Sequence, residues 1–279
     1  MMAVPRLTQL LVLAFAMGAG VRGQNLPVPP LPYSYGALEP LFDEQAMKVH
    51  HLGHHAAYTH QLNGALGRMR WDPTLKHLAK MGIDELLKHL EDVPDDMRDT
   101  VRNAGGGFVN HDLFWRVVSP WGGVPPGPDS ETIQERRLAA AIDTTFGSLG
   151  EMQQTFSHVA SGIFGSGWAF LYYDRTLKSL EIATAPGNDS PAMDADKTPI
   201  LALDMWEHAY YLQYQNRVDL YITAFWSAVD WAVVATLYAE ASGVAEPDPL
   251  PSAERREKQT IGLVPSRDDD KRVLETEEL

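Results

Sequence analysis

Histidines are concentrated in one short stretch of the chain. Five of the ten histidines fall within thirteen consecutive residues. On a helix, His50, His54 and Tyr58 would share one face, because side chains four residues apart lie above one another, and His51 and His55 would share another face. Either pair of imidazoles could bind a metal ion. Histidines that hydrogen-bond to their neighbours on a helix surface would give the same pattern, so composition does not choose between the two interpretations.

Two further segments hold the residue types of a metal site. Asn110-His-Asp-Leu-Phe-Trp115 embeds one histidine in an apolar helical pattern, and Asp204-Met-Trp-Glu-His208 places a carboxylate at a predicted strand end, four residues before another histidine. A buried carboxylate facing three imidazoles suits manganese, iron or zinc. The chain has no cysteine, which removes the soft thiolate ligands. Spacing alone leaves the metal open.

The elements that would position these residues begin with a helical hairpin. Residues 24–40 contain five prolines and should be extended, because proline lacks the amide proton that a helix needs. Apolar residues then recur at helical spacing from Phe42 to about Leu66 and again from about Ile83 to Val118. Within the second stretch, breaks are expected at Pro94 and at glycines 105–107.

A Pro- and Gly-rich stretch separates this hairpin from a second half that mixes helices and strands. The fold class is therefore α+β. The boundary stretch is 119–128. Helices are predicted at 133–146 and 151–161, and helical periodicity returns over 210–240. The predicted strands are a hairpin of 167–173 and 179–184 with a third strand at 199–204.

The composition limits the class of ligand. The chain of 279 residues is 44% hydrophobic, which is enough for a sizeable core. It carries 23 basic and 37 acidic residues, a formal net charge of −14. This charge argues against binding to nucleic acid or to an anionic membrane surface. A small ligand is expected.

Both ends of the chain have a composition unlike a folded domain. Residues 1–23 combine Arg6, a short apolar run and small residues, which predicts a signal peptide cleaved after Gly23 and a protein that is secreted or held in the secretory-pathway lumen. Residues 243–279 are Pro-rich and acidic and are predicted to be a disordered tail. The predicted domains are therefore the signal peptide, a helical-hairpin domain at 24–118, an α/β domain at 119–242, and the tail.

Five blocks of sequence share one pattern with a known family. In their order, and over roughly residues 26–242, they resemble the iron/manganese superoxide dismutases. The last block is the most specific to that family. The blocks are Leu31-Pro-Tyr-Ser-Tyr-Gly-Ala-Leu-Glu-Pro40, His50-His-Leu-Gly-His-His-Ala-Ala-Tyr58, Gly105-Gly-Gly-Phe-Val-Asn-His-Asp-Leu-Phe-Trp115, Gly165-Ser-Gly-Trp168 and Asp204-Met-Trp-Glu-His-Ala-Tyr-Tyr211.

The resemblance implies an architecture, a metal centre and a reaction. A helical-hairpin domain and an α/β domain with a three-stranded antiparallel sheet would clasp one metal ion per subunit. Redox cycling of that ion would convert superoxide to oxygen and hydrogen peroxide. Manganese is favoured over iron, because Gly107 lies where iron enzymes of the family carry a glutamine. The implied protein ligands, with a solvent molecule as the fifth ligand, are His50, His111, Asp204 and His208.

The resemblance also assigns roles around the metal and at a subunit interface. It implies a homodimer and leaves a tetramer open. His51, His55 and His60 receive no metal role and are expected to lie on the surface or in packing contacts. The implied roles are a gateway of His54 and Tyr58 with a proton relay through Tyr58, pocket walls at Trp168 and Trp206, a hydrogen bond from Asn188 to bound solvent, and contacts of Glu207 and Tyr211 across the dimer.

Two positions depart from the family pattern. Asn188 occupies the position where manganese enzymes present a glutamine, and its amide should stop about 1.5 Å short of the glutamine's reach. We expect a water in the gap or a backbone shift at Gly187, and slower turnover. Asn188-Asp-Ser190 is also a glycosylation sequon, which Pro191 disfavours. Val218 replaces an arginine of the substrate funnel.

A protein of another class remains as the alternative. A secreted metal-binding or surface-interaction protein could keep this scaffold and lose fast turnover, and the acidic tail could serve such a role. The retention of four ligands and of both gateway residues weighs against it, because a binding protein has no physical need for a proton relay beside the metal.

Overall fold

A computed structural model describes residues 25–243. The predicted signal peptide lies outside these residues, as does the predicted tail beyond Gly243. Between residues 25 and 243, no helix has both the length and the apolar character needed to cross a membrane.

The N-terminal half is a helical hairpin with an extended segment laid along it. The side chain of Asn63 accepts a hydrogen bond from the backbone amide of Leu26 at 2.7 Å and donates one to the carbonyl of the same residue at 2.9 Å. This pairing replaces the helical bonds that the neighbouring prolines prevent. The helices are α1 Glu44–Val49, a π-helical segment His50–His55, α2 Ala56–Trp71, α3 Ile83–Lys88 and α4 Asp95–Val117, with 3₁₀ turns at Leu78–Lys80 and Leu90–Asp92.

The predicted helix break at glycines 105–107 is wrong. The break at Pro94 is confirmed, but α4 continues through all three glycines. A Cβ atom at Gly106 would lie 2.0 Å from the backbone oxygen of Asn188, and one at Gly107 would lie 2.7 Å from the ring of Tyr58. These glycines make close packing possible, and tertiary contacts outweigh their poor helix propensity of about 1 kcal/mol each.

The C-terminal half contains helices and a three-stranded antiparallel sheet, as the resemblance implies. The strand order is β2-β1-β3, and the register places Trp168 on the central strand opposite Asp204 on β3. The elements are α5 Ile133–Phe146, α6 Leu149–Ser161, β1 Gly167–Asp174, β2 Ser179–Pro186, β3 Lys197–Asp204, α7 Glu207–Tyr214, α8 Val218–Ala228 and α9 Trp231–Ser242.

Helix α4 belongs to both hydrophobic cores. Val101, Ala104 and Phe108 pack into the small core of the hairpin. Six residues after Phe108, Phe114 and Trp115 pack into the large core of the C-terminal half. The stretch between these two groups is therefore held from both sides, and His111 lies within it.

Candidate metal centre

The structure brings all four predicted ligands together. His50 begins the π-helical segment, His111 lies on α4, Asp204 ends β3 and His208 lies in the first turn of α7. The Nε2 atoms of His50 and His208 are each 3.0 Å from Oδ2 of Asp204, and that of His111 is 3.6 Å away. The four candidate ligand atoms lie within 4.8 Å of one another.

Burial sets the protonation states of this cluster. It lowers the pKa of His50 to about 4 and holds the pKa of His111 well below its ordinary value. Burial alone would raise the pKa of the Asp204 carboxyl, but the neighbouring charges and hydrogen bonds of His208 and His50 outweigh it and lower that pKa. Near neutral pH, His50 and His111 are thus neutral imidazoles beside the ionised Asp204 carboxylate, which are the forms that bind a metal.

His111 gives the clearest sign that a metal fits. Its Nδ1 lies 2.6 Å from the backbone oxygen of Gly107 and can only donate to it, so the proton is on Nδ1. The Nε2 atom is therefore a lone-pair acceptor, and it is buried without a hydrogen-bond partner. A buried unsatisfied polar atom is costly. A metal ion bound to Nε2 would remove that cost, and the hydrogen bond at Nδ1 would orient the ring.

Aromatic rings close the pocket. Trp168 is fully buried, and its ring lies edge-on to His111 with 5.0 Å between centroids. Trp206 stacks on His208 at 5.5 Å. Sequence reasoning gave no role to Trp115, whose ring lies 4.6 Å from that of His50.

The two residues expected to form a gateway lie directly beside the cluster. The ring of His54 stacks on that of His208 with 3.9 Å between centroids, and the ring of Tyr58 lies 5.4 Å from that of His111. Burial raises the pKa of Tyr58, and hydrogen bonding to Asn188 offsets part of that increase. The tyrosine therefore keeps its proton near neutral pH.

Asn188 is buried rather than displayed on a surface loop, so the structure does not favour its use as a glycosylation sequon. Its Oδ1 accepts a hydrogen bond from the Trp168 indole at 3.2 Å, and its Nδ2 donates to Oδ1 of Asn103 at 3.2 Å. Both bonds are at the long end of the usual range for N–H···O contacts. Gly187, just before it, adopts a positive φ of 58°.

The remaining predicted residues lie at the surface or in packing contacts. Glu207 and Tyr211 are exposed on α7, and His60 is exposed on α2. His51 and His55 are buried: His51 donates to the carbonyl of Pro29 from Nε2 at 2.7 Å, and Nδ1 of His55 accepts from the Trp115 indole at 3.0 Å.

Sequence reasoning missed the polar residues of α4 that face the Asn188 backbone. Asn110 is 1% exposed, and its Nδ2 donates to the Asn188 carbonyl oxygen at 3.1 Å. The regular helix predicted around His50 is also wrong in detail, because the segment is π-helical there. The position of Asn110, a polar residue next to His111 in an otherwise apolar pattern, could have indicated its role. No local sequence pattern predicts the π-helical turn.

Comparison with known proteins agrees with this geometry. Residues 25–119 match the alpha-hairpin domain of iron/manganese superoxide dismutases, and residues 134–237 match the C-terminal domain. The chain is 43% identical over 214 residues to "Superoxide dismutase [Mn] 1" of Leptolyngbya boryana, covering 76% of this chain and 80% of that protein. It is 43% identical over 205 residues to "Superoxide dismutase [Mn]" of Listeria monocytogenes, covering 73% and 93%. It is also 43% identical over 214 residues to "Superoxide dismutase [Mn]" of Pseudomonas aeruginosa, covering 77% and 97%. The chain therefore belongs to the iron/manganese superoxide dismutase family.

Proposed function

We propose that the protein is a superoxide dismutase that uses one manganese ion per subunit, held by His50, His111, Asp204 and His208. The observation that carries this proposal is the buried, unpartnered Nε2 of His111, which faces the Asp204 carboxylate at 3.6 Å. When bound, manganese supplies a one-electron couple that can oxidise one superoxide to oxygen and reduce another to hydrogen peroxide.

The ligand set favours an anionic substrate. Asp204 contributes the only negative charge of the four side chains, since the buried imidazoles of His50 and His111 are neutral. A divalent or trivalent ion keeps a net positive charge in such a set. Trp168 and Trp206 exclude water around it, which lowers the local dielectric constant and strengthens attraction of the anion.

Tyr58 lies beside the cluster, with its ring 5.4 Å from that of His111, and can serve as a proton donor. Formation of hydrogen peroxide from superoxide consumes protons, and the raised pKa of Tyr58 keeps its hydroxyl protonated. His54 stacks on His208 beside it and forms the other side of the proposed entrance. The tyrosine can give its proton to reduced substrate and regain it from solvent.

The helix packing at Gly107 supports manganese rather than iron. The relatives described above carry manganese in their names. In this chain, even a Cβ atom at position 107 would lie 2.7 Å from the Tyr58 ring. A glutamine at this position, as in the iron enzymes, would require that ring to move.

We further propose a homodimer that pairs α7 with its copy. Glu207 is exposed, and on the same helix Tyr211 is 50% exposed and Leu212 57% exposed. His111 gives its Nδ1 proton to a carbonyl of its own chain, whereas His208 has no Nδ1 hydrogen bond among residues 25–243. Glu207 of the partner subunit would accept the proton of His208. Velocity sedimentation would distinguish this dimer from a tetramer.

Secretion with cleavage after Gly23 remains part of the proposal. After cleavage there, the new N-terminus would lie close to Leu26, whose backbone amide donates a hydrogen bond to Asn63. Mass spectrometry of the N-terminal peptide of protein secreted from expressing cells would test it, and an intact Met1 in the secreted protein would contradict cleavage.

The decisive experiment measures superoxide consumption and bound metal on the same sample. Manganese-loaded protein should bind about one ion per subunit and consume superoxide far faster than free manganese does. His111→Ala should lose both metal and turnover, while the surface variant His60→Ala should keep both. Stoichiometric manganese with turnover no faster than the free ion would refute the dismutase and favour the metal-binding alternative.

A further inference from the structure

One face of α4 grips the loop that carries Asn188. Arg102, Gly106 and Asn110 follow one another at four-residue spacing and so share that face. Asn110 donates from Nδ2 to the backbone oxygens of Asn188 and Asp189 at 3.1 and 3.4 Å. The Asn188 carbonyl packs directly against Gly106. A Cβ atom at this position would lie 2.0 Å from the carbonyl oxygen, so only glycine allows this approach.

Arg102 makes the shortest contacts between this face and the loop. Its Nε donates to Oδ1 of Asp189 at 2.7 Å, and its Nη2 donates to Oδ2 at 2.5 Å. The two bonds form a bidentate ion pair, which is stronger and more directional than a single charged contact. The other hydrogen bonds between α4 side chains and the loop are 3.1 Å or longer.

The ion pair acts at the residue next to Asn188. On the other side of the loop, the Trp206 indole donates to the Gly187 carbonyl at 3.0 Å, and the backbone amide of Gly187 donates to the Ser166 carbonyl at 3.0 Å. The loop is thus held from the C-terminal half at residue 187 and from α4 at residue 189. The Asn188 amide, whose two hydrogen bonds are both 3.2 Å, depends on these two anchors for its position.

We propose that Arg102 is a positioning residue for turnover: by clamping Asp189 against α4, it fixes the distance between the Asn188 amide and the Tyr58 hydroxyl. The proposal rests on the proposed role of Asn188 beside the metal. The shorter asparagine makes that distance depend strongly on the loop. A loop that moves away from α4 would lengthen that distance and weaken hydrogen bonding between the two groups.

A lysine substitution distinguishes a positioning role of Arg102 from a simple effect of its positive charge. Lysine keeps the positive charge but cannot form the bidentate pair. If Arg102 only attracts an anionic substrate, Arg102→Lys will behave like the unmodified enzyme. If Arg102 holds the loop by its geometry, Arg102→Lys will behave like Arg102→Gln.

The test compares Arg102→Lys, Arg102→Gln and the reversed pair Arg102→Asp with Asp189→Arg, all loaded with manganese. Arg68→Gln is the matched control, because Arg68 forms an ion pair with Asp96 on the hairpin at 2.5 Å, away from the Asn188 loop. Hydrogen exchange of residues 186–192 is measured by mass spectrometry. Turnover number and reduction potential are measured on the same samples.

We expect loop exchange to quicken by about tenfold in both single variants, as loss of a charged hydrogen bond would produce. The turnover number should fall at low and at high salt, the potential should shift, and the reversed pair should recover part of both. Unchanged loop exchange in Arg102→Lys would overturn the clamp. Faster exchange with unchanged turnover and potential would overturn its positioning role. An Asn188→Ala variant with unchanged turnover would instead refute the role of Asn188 in the proposed function.

Discussion

The Asn188 amide is shared among three polar neighbours, Trp168, Asn103 and Tyr58. Its amide hydrogen-bonds with Trp168 and Asn103 at 3.2 Å each, and its hydrogen bonding to Tyr58 offsets part of the increase in the pKa of Tyr58. Asn188→Gln adds one methylene group and should extend the amide toward Tyr58. We expect turnover to rise by up to about tenfold, which is the lower end of effects seen for groups that support metal ligands.

The reduction potential provides the independent measurement for this variant. A stronger hydrogen bond at the centre changes the balance between the two oxidation states, so the potential should move together with turnover. Asn188→Ala is the matched control, and it should be slower than the unmodified enzyme. Unchanged potential and turnover in Asn188→Gln, at equal metal content, would show that the assigned role is wrong.

Val218 lies where the resemblance to the family implies an arginine of the substrate funnel. The adjacent Arg217 does not simply replace it, because its guanidinium donates to the carbonyls of Tyr214 and Gln213 at the end of α7. In a chain of net charge −14, one more local positive charge should matter to an anionic substrate. Val218→Arg should raise the second-order rate constant a few-fold at low salt, on the order of what one steering charge adds.

Ionic strength separates attraction from other effects of Val218→Arg. Salt screens exposed charges over about 8 Å at physiological strength, so the gain should shrink as salt is added. Val218→Gln, which is polar but neutral, should show no gain. A rate increase that ignores salt, or none at all, would contradict the electrostatic explanation.

At the scale of elements, α4 depends on glycines that let other segments approach. A Cβ atom at Gly106 would lie 2.0 Å from the Asn188 carbonyl oxygen and 2.9 Å from the Met193 side chain. Gly106→Ala should therefore push the loop away and cost about 1–3 kcal/mol, as overpacking usually does. Turnover should fall with it.

Gly64→Ala is the control for this prediction, because a Cβ atom at Gly64 on α2 meets nothing within 4 Å. That change should raise the free energy of unfolding by about 0.5–1 kcal/mol through better helix propensity. Thermal unfolding of both variants and superoxide turnover provide the comparison. Equal free energies of unfolding in the two variants would contradict the prediction, because the Asn188 loop would then move away from α4 without loss of stability.

The elements differ in how far the sequence predicts them. The helix Ile133–Phe146 follows from apolar periodicity, and it begins after a capping box formed by Thr132 and Glu135. The continuity of α4 through its glycines does not follow from periodicity, because the cause is packing against Asn188 and Tyr58, which are distant in sequence. The π-helical turn at His50 has no local signal either.

The sequence predicted the candidate metal ligands but not the contacts that hold the loop beside them. The ligands could be assigned because the family pattern fixes their positions, and the structure brings them together. The pattern could not provide the contacts of Arg102 and Asn110 with the Asn188 loop. Those contacts depend on how the sheet places residues 187–189 against α4, and that geometry exists only after folding.

At the scale of the whole molecule, one helix joins the two halves. Helix α4 packs into both hydrophobic cores, so the position of His111 is fixed relative to both halves. The His208 side of the centre is different. The side chain of His208 is 10% exposed on a helix whose outer face is open to solvent in the single chain. The proposed dimer would close that side.

In the proposed dimer, Glu207 accepts a hydrogen bond from the partner subunit. In a two-fold dimer the contact occurs twice, with each Glu207 accepting from His208 of the partner subunit. Removing one member of a hydrogen-bonded charged pair typically costs about 2–5 kcal/mol. Glu207→Ala should thus raise the dimer dissociation constant by at least about 30-fold, which corresponds to 2 kcal/mol. It should also lower manganese retention, because His208 loses the partner that orients its ring.

Sedimentation over a range of protein concentrations, with manganese and turnover measured on each sample, checks the dimer and the metal together. Glu240→Ala is the control, since Glu240 is an exposed acid on α9, away from α7. It removes the same charge and should leave mass, metal and turnover as they were. If Glu207→Ala also leaves all three unchanged, the two metal centres are not linked through this contact. The His208 Nδ1 proton must then go to solvent.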